Sequence, residues 1–550
     1  MATVLIAPLG DSPIVVTAMV EALERHPDGP HSGVDVVEVL YPTGQASQAI
    51  DFGFDLIEDA LQGRCYVRGY NLGFPDANTE EHCIEYLRAL DSVLHGHVQD
   101  DVYVSVASGR KSMAALTAVA TQFHPQIRGL YHVLDKHERD PTRRHFLTNE
   151  ELLNMADGKR RTAMLPPIAD LTLVEIPFQP LAQAADLRRY LAHGTEDEGF
   201  RIAIDHYGSA FFERVFGARP SSERLELRFS RAAYERFSEL DSDVAERFRN
   251  CFRSMREPAV LKEKVHGEFR AHRRTYHFYE AGRTAERPFF YTEPNDIVGW
   301  PHRQVDRVVV VGLSVHASDA RYDVDGEEWI GRGPFDDRYT LDDLPSRPAI
   351  LLVPLGESPM VATQTYVLLR ERERIRIERV VLLYAGNDHP IRNGVRLVKE
   401  LFEDRKLSEI RGGDMVPVEE APIEGMHDMD SREACIQFGQ ALGRTIVRLQ
   451  ERYPDRPLHV SLSGGRKAMA ALTYFGAQHA GLSRVWHTTI SDPQFDKQVE
   501  DETRSDKLAP LKTAERAARL FLQTYSSDPD KFTVFPVPII PLDLARPAEP

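Results

Sequence analysis

Residues 3–18 read TVLIAPLGDSPIVVTA, and residues 348–363 read PAILLVPLGESPMVAT. Each is an apolar run, then P-L-G-[DE]-S-P, then a segment with helical apolar spacing. An unbroken apolar run suits a strand buried on both faces of a parallel sheet, and the glycine break suits a strand-to-helix turn. The pattern recurs downstream, where 102–117 read VYVSVASGRKSMAALT and 458–473 read LHVSLSGGRKAMAALT. A third echo sets 174–181, VEIPFQPL, against 535–542, FPVPIIPL. Three landmarks in one order mean an internal duplication. The expected architecture is multidomain: two α/β units with parallel-rich sheets and flanking helices, 1–185 and 346–550, around a different central insert.

The rest of the composition fits that plan. With 550 residues the chain is long enough for several cores. An apolar fraction of 42% beside 27% charged residues excludes wholesale disorder. A net charge of −17 argues against a general nucleic-acid coat, whose affinity rests on cationic surface. Cys65, Cys83, Cys251 and Cys435 are scattered without a C-x-x-C pair, so no disulfide framework or structural zinc site is expected. No metal or other cofactor is expected. No apolar run reaches the roughly 20 residues of a membrane span, and no basic leader opens the chain. The expectation is a cytoplasmic protein with no membrane partner.

The duplicated turns carry the chemistry. In an open α/β sheet, ligands bind beyond the carboxyl ends of the strands. Backbone N–H groups at a helix N-terminus favour an anion there. Arg110-Lys111 and Arg466-Lys467 add positive charge, and Ser12, Ser105, Ser358 and Ser461 add hydroxyls. The ligand expected is rich in phosphate and roughly symmetric, lying across a pseudo-twofold pair of pockets. G-x-x-x-x-G-K-[ST] and G-x-G-x-x-G are both absent, which disfavours a P-loop ATPase and a dinucleotide site.

The S-x-[AS]-[SG]-G-R-K-x-M-A turn, with the P-L-G-x-S-P strand–turn, resembles the CARF domain of CRISPR-associated effectors. That resemblance implies two Rossmann-like sensors and a cyclic oligoadenylate activator, most often the tetra-adenylate. It places ligand contacts at Gly10, Asp11 and Ser12, at Ser105, Ser108, Gly109, Arg110 and Lys111, and in the second copy at Gly356, Glu357 and Ser358, with Ser461, Gly464, Gly465, Arg466 and Lys467. Ala107-Ser108-Gly109 stands where the other copy has Ser463-Gly464-Gly465, so unequal contributions are expected. Two sensors in one chain make the pair internal, and a monomer is expected.

Between the copies, 186–221 is expected to be a helical connector and 222–345 an α+β output domain. From 223 to 287 there are 15 Lys+Arg against 12 Asp+Glu, a local net of +3 on an acidic chain. Patterning predicts a strand at 225–229, helix over 231–256, a short connector at 262–267, and strands at 273–280, 287–292 and 307–315. LKEKVHG (261–267), RRTYHFYE (273–280), ERPFFY (286–291) and DRVVVVGLSVHASDARYD (306–323) resemble, in order, the RelE/YoeB ribosome-dependent mRNA interferases. The resemblance implies mRNA and the bacterial ribosome as partners and translational arrest as the outcome. It implies catalysts at His277, Tyr279, Arg287, His316 and Tyr322, with Lys262, Lys264 and His266 lining the RNA approach. Those types fit metal-independent attack by a 2′-hydroxyl: a base, a cation for the crowded phosphate, and an acid for the leaving oxygen.

Other outputs stay open at this point. Arg188…His193 has the R-x4-H spacing of HEPN ribonucleases. Asp336-Asp337 and Asp342-Asp343 are the acidic pairs a PD-(D/E)xK nuclease would need. A non-catalytic sensor or transcription regulator is the non-enzyme alternative, and ring-opening of the bound nucleotide is a possible second activity.

Overall fold

The computed structural model describes residues 1–180 apart from 28, 31, 43–46, 75, 139 and 141. It further describes 187–188, 191, 202–204, 214–217, 225–238, 240, 242–256, 258–271, 274–279, 286–293, 307–315, 339–340 and 344. From 348 onward it describes 348–403 without 374, 415–521 without 455, 483 and 491, then 531–539 and 542–544.

The first unit is one six-stranded sheet: β1 (Thr3–Pro8), β2 (Val36–Tyr41), β3 (Tyr66–Asn71), β4 (Asp101–Ser105), β5 (Ile127–Asp135) and β6 (Leu171–Glu175). Its order is β3-β2-β1-β4-β5-β6. The first five are parallel and β6 closes the edge antiparallel to β5. All six residues of β1 are buried, because helices cover both of its faces. The chain leaves β1 to one side for β2 and returns on the other for β4, which opens a crevice at the carboxyl ends of β1 and β4.

After the short β7 (Ile202–Ile204) and the central strands, the second unit repeats this plan strand for strand. Its members are β14 (Pro348–Leu355), β15 (Arg376–Ala385), β16 (Val418–Ile423), β17 (Leu458–Ser461), β18 (Arg484–Ile490) and β19 (Phe532–Pro538). The order is β16-β15-β14-β17-β18-β19, again with only the last strand antiparallel. Both quoted motifs of each copy therefore end strands that flank the switch point.

The two units share one apolar core that runs from Val4 and Ile6 through Leu116 and Val119 to Leu472, Phe475 and Trp486. At its centre the helix Lys111–Thr121 packs against the helix Lys467–His479. Every residue from Ser112 to Thr121 and from Ala468 to His479 is buried. A helix buried all round needs small residues where backbones approach, which accounts for the shared M-A-A-L-T run. Across the seam Gln122 Nε2 donates to Gln478 Oε1 at 3.2 Å.

The insert has its own sheet of β8 (Glu226–Phe229), β9 (Val265–Ala271), β10 (Arg274–Tyr279), β11 (Glu286–Glu293), β12 (Arg307–Val315) and β13 (Tyr339–Thr340), ordered β13-β8-β12-β11-β10-β9. β9 to β12 form an antiparallel meander, and β8 returns parallel to β12. Helices Arg231–Ser238, Ser242–Met255 and Pro258–Lys264 lie between β8 and β9 in sequence. The expected single helix is two, broken near Ser242, a residue type that competes for backbone hydrogen bonds. The expected connector at 262–267 is the end of a third helix running directly into β9. Apolar spacing alone did not reveal that strand, because its residues, VHGEFRA, alternate weakly.

The connector after the first unit also differs from expectation. It contains β7, which pairs in parallel with β20 (Leu542–Leu544) at the far end of the second unit. Val215 and Phe216 then press on the helix Arg432–Arg452, where a methyl group on Gly443 would lie within 1.9 Å of the Phe216 carbonyl oxygen. Gly443 is thus required to admit this segment, and Gly443→Val is expected to lower the melting temperature of the whole chain. An unchanged melting curve would mean that the segment does not dock there.

Candidate functional site

The turns that end β1 and β4 are built against each other. A methyl group on Gly10 would sit 2.6 Å from the Gly109 backbone nitrogen, and one on Gly356 would sit 2.6 Å from Gly465 Cα. Gly109 and Gly465 adopt φ of 74° and 69°, the left-handed region where glycine has no penalty. The glycine of P-L-G-x-S-P therefore exists to admit the glycine of the G-R-K turn. Ser105 and Ser461 lie beneath these turns and accept from the N–H of Ala107 and Ser463, both at 3.2 Å. They shape the turn from below. Ser108 Oγ accepts from Gly10 N at 2.9 Å. Its counterpart Gly464 has no room for a side chain, since a methyl group would meet the Pro354 carbonyl oxygen.

Each turn then projects an arginine and a lysine toward the other unit. Lys467 Nζ donates to the Ala107 carbonyl at 2.6 Å, and Lys111 Nζ donates to the Ser463 carbonyl. Ala107 and Ser463 occupy equivalent positions, so the exchange is reciprocal about a pseudo-twofold axis. Arg110 is held by Asp76 of its own unit at 2.9 Å and by Asp496 of the other at 3.1 Å. Arg466 is held by Asp428 of its own unit at 2.7 Å and by Glu138 of the other. Asp76 and Asp428 each lie three residues before the N-cap of the following helix, Thr79 and Ser431. The carboxylate contacts are duplicated along with the cations.

Lys467 is charged at a cost. Lys467 keeps some solvent contact, yet the protein packed round it, then Lys111 and Arg110, push its ammonium down to about 7, against the pull of Asp11. Asp11 itself is exposed, Glu357 and Ser358 are partly so, and Ser12 Oγ is buried with no hydrogen-bond partner. Four cations on one axis, two of them bonded to carbonyls of the opposite unit, make a cradle for an anion of several charges.

Two histidines missed in the sequence lie behind the cations. His132 on β5 pairs with Val174, and His487 on β18 pairs with Phe535, at matching registers. Burial, then Lys467 and Arg466, hold His132 well below its ordinary value. Burial, then Lys111 and Arg110, push His487 down to about 3. An aromatic–His pair, Tyr131-His132 and Trp486-His487, was the available sequence signal. His487 Nδ1 lies 3.0 Å from Ser463 Oγ, a contact the other unit cannot make because Ala107 replaces the serine. The inequality expected from that sequence difference thus falls on the histidines.

Among the described residues, those expected in the insert do not share one face of its sheet. Tyr279 is 1% exposed in the core beneath the helices, and His277, two residues back on β10, faces Phe290 on that same side. Burial raises the Tyr279 phenol above its ordinary value. Arg287 alternates to the opposite side of β11, 9% exposed and opposite Ser314. That side carries Tyr276, Tyr291, Val309 and Val311. Lys262 sits in the helix Pro258–Lys264, His266 in β9, and Lys264 lies 3.6 Å from Glu263 at the surface. His316 and Tyr322 lie outside the described residues, as do His193 and the Asp336 and Asp342 pairs. Arg188 is held by Asp91 of the first unit at 3.2 Å. Among the described residues there is no cluster of His, Cys, Asp and Glu suited to a metal, and no helix long and apolar enough to cross a membrane.

The family of CRISPR-associated protein NE0113 matches residues 12–200 and 358–545, both copies of the repeat and more than half of the chain. The chain belongs to this family. No curated protein matches it. Among solved structures it is similar to Can2 from Sulfobacillus thermosulfidooxidans in complex with cyclic tetra-adenylate, at 16% identity over 28% of this chain and 35% of that one, with a TM-score of 0.19. It is similar to Enterococcus italicus Csm6 bound to cyclic hexa-2′-fluoro-hexa-dAMP, at 12% identity over 36% and 46%, with a TM-score of 0.23. It is also similar to UDP-GlcNAc 2-epimerase from Neisseria meningitidis bound to UDP-GlcNAc, at 9% identity over 96% and 99%, with a TM-score of 0.18. The chain thus spans about a third of Can2 and under half of Csm6, and likenesses this slight carry nothing further.

Two outcomes follow from the site itself. Gly10→Ala and Gly356→Ala drive a methyl group into backbone and should each cost about 1–3 kcal/mol of stability by urea titration. Lys467→Met should be more stable than the parent at pH 7. The unfolded lysine binds a proton up to its ordinary 10.5 and the folded one only to about 7. The parent therefore gains stability as pH rises between those values, and the gap should narrow by pH 10. A constant gap would mean that Lys467 titrates normally.

Proposed function

We propose that this family member is a cyclic-oligoadenylate-activated ribonuclease of type III CRISPR defence, with the two repeats as CARF sensors and the insert as a RelE-like mRNA interferase. The observation that carries the reading is the reciprocal cradle of Arg110, Lys111, Arg466 and Lys467, set about a pseudo-twofold axis in a CRISPR-associated chain. A ring of linked phosphates has the matching symmetry and charge. Entry of the ring removes Arg110 from Asp496 and Arg466 from Glu138. Those are contacts between units, so their exchange alters how the units sit. The ligand activates only to the extent that it prefers the altered arrangement.

The order β–helices–β-β-β-β, with the first strand parallel to the last of the meander, supports the interferase reading of the insert. Arg287 is the residue assigned to the scissile phosphate, His316 to the leaving oxygen and Tyr322 to stacking on a base. His277 and Tyr279, on the helix-covered side, are support for the sheet in this reading. The mRNA would be cut in the ribosomal A-site, without a metal.

Translating ribosomes with cyclic tetra- or hexa-adenylate should yield mRNA ends only with the ring present, and not with Arg287→Ala, which should still bind the ring. Cleavage by Arg287→Ala would place the nuclease centre elsewhere. Glu138→Gln with Asp496→Asn removes the competing carboxylates and should tighten ring binding by about tenfold in calorimetry. Weaker binding would mean that these carboxylates support the ligand rather than compete with it.

A further inference from the structure

The two repeated sheets end on equivalent strands, and only one of those ends is blocked. β3 closes the first sheet and β16 the second. Register aligns them residue for residue. Pro8, Leu40 and Tyr70 stand side by side across β1, β2 and β3, as Pro354, Leu383 and Ala421 do across β14, β15 and β16. Val67, Gly69 and Asn71 therefore answer to Val418, Glu420 and Pro422. Tyr66 N and Leu72 N donate inward, to the carbonyls of Asp35 and Tyr41 at 2.8 and 3.0 Å. Alternation along the strand then turns the peptide groups of Val67, Gly69 and Asn71 outward. In the second unit Val380 N donates to the Pro417 carbonyl and Gly386 N to that of Ile423, which turns 418, 420 and 422 outward. There every outward position is blunted. Val418 N is taken by Glu403 Oε1 at 3.1 Å, Glu420 sets a carboxylate in the middle, and Pro422 has no N–H. Such devices keep an edge from pairing. β3 has none of them: among the described residues no side chain caps Val67 N, Gly69 has no side chain, and Asn71 is not a proline. Tyr66 beside them is 62% exposed.

We propose that the outer side of β3 pairs antiparallel with β3 of a second copy of this chain, about a twofold axis at Gly69, so that the two first-unit sheets join into one. Residues 66–72, YVRGYNL, are self-complementary in that register. Gly69 meets Gly69, where no side chain stands between the backbones, and Val67 opposes Asn71. Each such pair exchanges two backbone hydrogen bonds, about six in all. Arg68 is the only charged residue of the strand. An axis through Arg68 would set two guanidinium groups opposite each other, whereas an axis through Gly69 sets each against the second copy's Tyr70 ring. Within one copy Arg68 already lies over the Tyr66 ring at 5.1 Å and reaches the buried Glu38 at 3.4 Å, so covering the strand strands no cation. The faces agree. A methyl group on Gly69 would meet Tyr41 and Phe54 at 2.8 Å, which puts Gly69 on the side of the helix Ser47–Leu61. Tyr66, Arg68 and Tyr70 alternate to the other side, where the exposed Tyr66 gains the second copy's Leu72 as an apolar neighbour. The interface is isologous and closes at two copies. The monomer expected from the internal sensor pair gives way to a dimer that leaves that pair intact.

The test is sedimentation velocity of the full chain over about a hundredfold range of concentration. The parent should pass from one chain to two as concentration rises. Val67→Pro removes only an outward N–H, and Asn71→Pro, which copies the other edge, also gives up the bond from Gly73 N at 2.8 Å. Each should raise the dimer dissociation constant by about tenfold or more. Pro422→Ala, at the blunted edge, should leave it unchanged. Val67→Cys with Asn71→Cys, in a Cys65→Ser background, should oxidise to a covalent dimer, because the Gly69-centred register sets those positions opposite each other at disulfide distance. A parent that stays single at every concentration, or a dimer that both proline variants leave intact, overturns the pairing. Melting curves identify a proline variant that fails to fold, in which case the cysteine pair decides, and absence of a covalent dimer overturns the pairing. Binding of a cyclic oligoadenylate is read separately by calorimetry, so failure of this interface and failure of the activator reading are distinguishable.

Discussion

Four cations meet on one axis, and each reaches across to a group of the opposite unit. Everything else in the paired units is arranged around that constraint. The lysines reach across to carbonyls, Lys467 to Ala107 and Lys111 to Ser463. The arginines are shared between a carboxylate of their own unit and one of the other. Burial, then the neighbouring Lys111 and Arg110, is why the Lys467 charge is held so weakly. The resting cradle is therefore closed by contacts that a polyanion can replace with stronger ones.

The same constraint explains the two glycine motifs. To bring two helix N-termini to one axis, the turns after β1 and β4 must pack backbone on backbone. That requires Gly10 against Gly109 and Gly356 against Gly465. The Ala-rich helices that follow must then pass side by side, which only small residues permit. Strand burial, turn glycines and helix composition are thus one requirement met at three levels of structure.

Much of this was legible in the sequence. The apolar run at 3–8 is a strand because both of its faces are covered, and the run at 348–355 repeats it, so duplication and sheet type followed from local pattern. The turn cations were legible because Gly-Arg-Lys recurs with its neighbours. The carboxylates were not. Asp496 and Glu138 act on the other unit, and no spacing within one repeat encodes a partner across the axis. His132 and His487 were missed for a related reason: within a strand they look like ordinary residues, and only sheet register aligns them. In the insert, pattern found β10, β11 and β12 but missed β9. Pairing of β10 with β11 sets Arg287 on the face opposite His277 and Tyr279, which only sheet register shows.

The connector that follows the first unit is tied to the second unit by two contacts that local pattern did not reveal. β7 pairs with β20 of the second unit, and Phe216 seats on the helix Arg432–Arg452. The central claim, a single anion cradle formed jointly by both units, is tested most directly by the stoichiometry and proton balance of cyclic tetra-adenylate binding at pH 8, measured calorimetrically in buffers of different ionisation enthalpy. The account predicts one ring per chain and a net uptake of protons as Lys467 recovers its charge. Two rings per chain, or proton release, would contradict it.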